Sequence, residues 1–126
     1  VFNRTVAHLA AQGRPSFNPT GQRQYRGPGG LKCAVGIWIP DEKYRRGLEG
    51  KSVHDGVGSA IVQAVLPEPL REPKMLRLLD QLQRLHDNTM NWDGTNAWSV
   101  PNLTGALREL GRRKKLRVAV IKECFS

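Results

Sequence analysis

Apolar residues recur every three or four positions in several stretches of this chain, and those stretches predict its helices. Phe2, Val6, Leu9 and Ala10 share a face over 2–12, and Gly13 followed by Pro15 supplies the stop. The clearest pattern runs over 73–88, where Met75, Leu76, Leu78, Leu79, Leu82 and Leu85 form a wide apolar face. Pro73 suits its first turn, where a missing N–H has no helical partner to lose. Leu103, Ala106, Leu107 and Leu110 predict a last helix over 102–110, with Gly111 as its C-cap. A weaker helix is predicted over 52–66 from Val53, Val57, Ala60, Ile61, Ala64 and Val65. Gly56 and Gly58 interrupt it, each at about 1 kcal/mol against alanine.

The remaining stretches break these periods. Residues 14–30 carry Pro15, Pro19, Pro28 and four glycines and predict an irregular loop whose charges, Arg14, Arg23 and Arg26, are all positive. Residues 31–39 are apolar but too short to assign as helix or strand. Residues 116–121 are β-branched enough to favour extended structure, and a terminal strand needs a partner. The expected fold is therefore a single small, mainly α domain over 1–126. A two-stranded sheet pairing 31–39 with 116–124 would make it α+β. Val6, Leu9, Val35, Ile37, Ile61, Leu78, Leu79, Leu82, Leu85, Leu107 and Leu110 are the expected core.

Length and composition support one domain, since 126 residues rarely split and a 39% hydrophobic share argues against wholesale disorder. No apolar run approaches the roughly 18 residues a transmembrane helix needs, so no membrane partner is expected. The start, Val1-Phe2-Asn3-Arg4-Thr5, carries no charged-then-apolar signal pattern. Cys33 and Cys124 lie far apart, and a secreted scaffold of this size usually carries more cysteines. Both are expected to be reduced in a cytoplasmic protein. His8, His54 and His86 lack zinc-ligand spacing, so neither metal nor cofactor is expected. Charge changes the picture most: 20 Lys and Arg against 11 acids leave +9, which attracts polyanions.

Tyr25-Arg26-Gly27-Pro28-Gly29-Gly30-Leu31-Lys32-Cys33-Ala34-Val35-Gly36 is a distinctive string. It is followed by Ile39-Pro40-Asp41-Glu42-Lys43-Tyr44, by Glu49-Gly50-Lys51-Ser52, and by Leu82-Gln83-Arg84-Leu85-His86-Asp87-Asn88. In this order the strings resemble a group of short proteins of bacteria and their phages with no established activity. The resemblance covers roughly 2–88 and implies a host range, but little chemistry. Arg45-Arg46 stands where the group's pattern has an acidic residue and a proline. The basic tail over 112–126 also looks particular to this chain. Both departures add positive charge.

Two constellations remain as carriers of function. Cys33 follows a glycine-rich loop and Lys32, a setting that favours thiolate if 31–39 is helical. With His86 as base and Asp87 as orienter it would make a cysteine hydrolase, although neighbours on a helix point in different directions. The plainer reading is a buried, inert thiol and a helix-end histidine. The P-loop and dinucleotide spacings are both absent from the glycine-rich segment. The basic set is more persuasive. Arg112, Arg113, Lys114, Lys115 and Arg117 put five cations in six positions, and Arg45 and Arg46 make a second cluster. Such residues neutralise phosphates and release counterions. Tyr25, Trp92 and Trp98 would stack on bases, or else anchor loops onto the core. No helix-turn-helix, RRM or zinc-finger pattern appears, so the expected partner is nucleic acid bound without sequence readout, or a nucleoprotein or acidic protein. A small phage-type accessory protein that acts by binding, in counter-defence or in the virion, is the leading reading.

Overall fold

A computed structural model describes residues 1–95 and 97–125. Its helices are α1 (Phe2–Gln12), α2 (Ser59–Val65), α3 (Pro73–Asp87), α4 (Val100–Arg113) and α5 (Ala119–Phe125). Short 3-10 turns fill the long stretch between α1 and α2, at Pro28–Gly30, Gly36–Trp38, Asp41–Lys43 and Arg46–Leu48. The protein is a mainly helical single small domain.

The expected pairing of 31–39 with 116–124 does not form, and the described residues contain no β-sheet beyond isolated bridges at Phe17–Arg23, Arg26–Lys32 and Trp92–Trp98. Helix α5 takes the place of the second strand. Ile121 is buried at helical spacing from Cys124 and Phe125, and the helix packs on α1 and α4. Burial against two helices outweighs the modest β-preference of Val118, Val120 and Ile121. Residues 31–39 fold into turns instead, and Gly36 explains why. A Cβ there would run into the Tyr25 carbonyl oxygen, so the chain crosses itself where only glycine fits.

Helix α3 organises the core, and its wide apolar face has a structural reason. Leu78 and Leu82 join one cluster with Val6, Leu9, Leu107, Leu110 and Ile121. Leu76 and Leu79 join the other with Tyr25, Cys33, Val35, Leu48 and Leu66. One helix thus feeds two halves of the core. The expected core departs from this at three positions. Ile61 is 54% exposed because α2 turns Val62 and Leu66 inward, while Ile37 and Leu85 are half-buried.

Helix α4 runs past its expected end. Gly111 lies buried inside it, and a Cβ there would fall 2.5 Å from Val118 Cγ1. The glycine therefore lets the α4–α5 connector close onto the helix, and the cap falls later. Leu116 N–H donates to the Gly111 carbonyl at 2.8 Å, and Lys115 N–H to that of Arg112 at 3.1 Å. This pair of bonds is the Schellman closure, with Lys115 at φ 56° in the left-handed position usually given to glycine.

Candidate functional site

Residues between 25 and 52 build a frame around the 3-10 turns. Glu49 is its hub: its carboxylate accepts from Tyr25 N–H at 2.7 Å, Arg26 N–H at 3.1 Å and the Tyr44 hydroxyl at 2.6 Å. The buried Tyr25 hydroxyl donates to the Lys51 carbonyl. Arg26 donates to the Ile39 carbonyl at 2.8 Å, pairs with Asp41 at 2.8 Å and lies over the Tyr44 ring. A segment without helix or sheet must find partners for its backbone, and these side chains supply them.

Histidine 86 sits fully buried on α3, a setting its sequence position as a helix-end residue did not suggest. Ser16 N–H donates to Nε2 at 2.8 Å, so the ring proton resides on Nδ1 and is donated to Asp87 Oδ1 at 2.8 Å. The neighbours in sequence do meet, because the Asp87 carboxylate folds back against the ring. Gln83 completes the network, donating to Asp87 at 2.7 Å and accepting from Val35 N–H at 3.0 Å. Arg23 Nε lies 3.6 Å from the other Asp87 oxygen. Burial lowers the His86 pKa, against the pull of Asp87.

Cys33 is fully buried, and burial pushes its thiol up to about 12. Its sulfur accepts from Gly36 N–H at 3.3 Å. The lone pair a general base would use on His86 is held by Ser16, so the His86–Asp87 pair ties the 14–30 loop to α3. Cys33 and Cys124 are both free thiols, and the described residues hold no metal-binding group of three His, Cys, Asp or Glu.

The basic set occupies the last turn of α4 and the turn that follows it. Arg112, Arg113, Lys114, Lys115 and Arg117 are all exposed. Glu109 takes up the first two, at 3.2 Å from Arg112 and 3.9 Å from Arg113. Among the described residues no carboxylate lies within ion-pair distance of Lys114, Lys115 or Arg117. Arg45 and Arg46 are exposed as well, but elsewhere. They precede Leu48 of the second core cluster, and Arg45 folds onto the Glu42 and Tyr44 carbonyls at 3.1 and 2.7 Å. No hydrogen bond or ion pair among the described residues joins the two clusters.

Of the three aromatics expected either to stack on bases or to anchor loops, Tyr25 and Trp98 are buried and serve the core. Trp98 Nε1 donates to the Leu9 carbonyl at 2.8 Å, which anchors the loop before α4 to α1. Trp92 is half-buried and lines a groove of about 430 Å³ with Phe17 and Arg14. Phe17 gave no signal in the sequence, having no charged or glycine-rich neighbours to mark it. No helix in the described residues is long and apolar enough to cross a membrane. Protein-family models, curated proteins and solved structures give no match to this chain.

Proposed function

We propose that this protein works by binding the phosphate backbone of nucleic acid, and that the turn between α4 and α5 makes the contact. One observation carries the reading: Lys114, Lys115 and Arg117 stand exposed and clear of any carboxylate among the described residues. Lys115 strengthens it. Its backbone is held in the left-handed conformation that closes α4, so the side chain leaves the chain just past the helix end. The overall +9 adds long-range attraction. The likeness to short proteins of bacteria and their phages supports a small accessory role of the phage type, in the cytoplasm of a bacterial host.

Hydrolysis by Cys33 is the weaker reading. A thiol raised to about 12 is protonated at neutral pH, and His86 spends its lone pair on the Ser16 N–H. Fluorescence anisotropy on labelled DNA and RNA at several salt concentrations tests the binding reading. With three phosphate contacts, log affinity falls against log salt with a slope of about −2 to −3. Absence of binding, or binding indifferent to salt, overturns it.

A further inference from the structure

The groove walled by Phe17 and Trp92 lies beside the start of α4, since Trp92 pairs with Trp98 and Ser99 N–H donates to the Asn91 carbonyl at 2.7 Å. Its volume of about 430 Å³ falls within the range of small-ligand sites. Pro15, Pro28 and Leu31 supply flat apolar walls, and no carboxylate lines it. Arg14 is exposed at the edge, with no carboxylate in ion-pair distance among the described residues.

The floor is rigid. Phe17 stacks on His86 with the rings 1° from parallel, and Trp92 meets Phe17 edge-on at 4.3 Å. His86 is fixed through both ring nitrogens, and Trp92 Nε1 donates to the His86 carbonyl at 3.2 Å. Aromatic groups locked before a ligand arrives bind at lower entropic cost. An aromatic and proline-lined slot with a cation at its edge and no acid matches one chemistry, a flat ring attached to a phosphate.

Resting on the nucleic-acid reading, we propose that this groove takes an unpaired base of a single strand. Arg14 meets the adjoining phosphate. Helix α4, with 14 residues and a length of about 21 Å, runs from beside the groove to the basic turn. A strand of about six nucleotides at stacked spacing covers that distance. The chain is thereby fitted to single-stranded rather than duplex nucleic acid, because a paired base cannot enter.

Anisotropy with three probes separates the terms: oligothymidine, an abasic strand of the same length, and a duplex. The expected result is roughly ten-fold weaker binding of the abasic strand at an equal salt slope, with the duplex also weaker. Phe17→Leu and Trp92→Leu erase the difference between the two single strands. Because that difference compares two ligands on one protein, it survives a partial loss of stability. Arg14→Ser weakens both strands while leaving the ratio intact. Equal binding of thymidine and abasic strands overturns the base site and leaves the backbone contact standing. Displacement of oligothymidine by a neutral proline-rich peptide gives the groove to a peptide and also overturns it. If no probe binds at all, both readings fall together.

Discussion

Lys115 occupies left-handed backbone at φ 56°, a conformation that costs an L-residue roughly 1–2 kcal/mol. Glycine removes that strain but gains freedom in the unfolded chain, at roughly 0.5–1 kcal/mol. Lys115→Gly is therefore expected to stabilise the domain by about 0.5–1 kcal/mol, a rise of a few degrees in Tm by calorimetry. The same variant should bind nucleic acid more weakly, with the salt slope shallower by about 0.7–0.9. A stabilised protein with undiminished binding would mean that Lys115 is there for neither reason. The block of cations was plain in the sequence, yet the strain was not. Gly111 looked like the cap, and only the approach of Val118 shows that this glycine serves packing instead.

Two devices hold the turn-rich half together, and each can be tested by a single change. Glu49 accepts three hydrogen bonds from residues between 25 and 44, so Glu49→Gln replaces one acceptor oxygen by a donor facing donors. Charged hydrogen bonds contribute about 1.5–3 kcal/mol each. A loss of at least about 2 kcal/mol in urea unfolding is expected, and a loss below about 0.5 kcal/mol would remove Glu49 as the hub. The His86 tether responds to pH. Its folded pKa lies below the unfolded value near 6.5, because burial disfavours the charged ring. The unfolded state therefore binds the proton first. Stability is complete above about pH 6.5 and falls as pH drops toward the lowered folded value, by at most about 1.4 kcal/mol per pH unit. His8, whose pKa burial also lowers and whose Nε2 donates to the Lys32 carbonyl at 2.8 Å, contributes with the same sign. Unfolding midpoints between pH 7.5 and 5.5 check this, and the drop should shrink in His86→Gln, which retains an acceptor for Ser16. An unchanged drop in that variant would place the pH dependence elsewhere. Helices α1, α3 and α4 were legible because each carries a long apolar period. Neither Glu49 nor Ser16 was, because side-chain bonds between segments distant in sequence leave no period to read.

At the scale of the whole molecule, the proposed binding turn lies apart from the segment that holds the irregular half together. Residues 25–52 are engaged in holding a segment that has no regular helix or sheet of its own. Lys114, Lys115 and Arg117, three exposed cations with no carboxylate in ion-pair distance among the described residues, lie together on the α4–α5 turn. Composition raised the expectation of a polyanion partner, but it could not say which cations stand clear of acids. Arg112 and Arg113 share Glu109, whereas Lys114, Lys115 and Arg117 do not. Net charge alone would predict that any three cations matter equally. The decisive comparison sets Lys114→Ser, Lys115→Asn, Arg117→Ser against Lys43→Gln, Lys74→Gln, Arg77→Gln, three exposed cations elsewhere in the chain. Both triple variants lose the same charge, and asparagine tolerates the left-handed backbone at 115. Affinity for a single-stranded probe across a salt series should fall in the first variant, with a slope shallower by about 2–2.7, and the second should keep the wild-type slope. Equal losses in the two variants, or an unchanged slope in the first, would contradict a binding site at the α4–α5 turn.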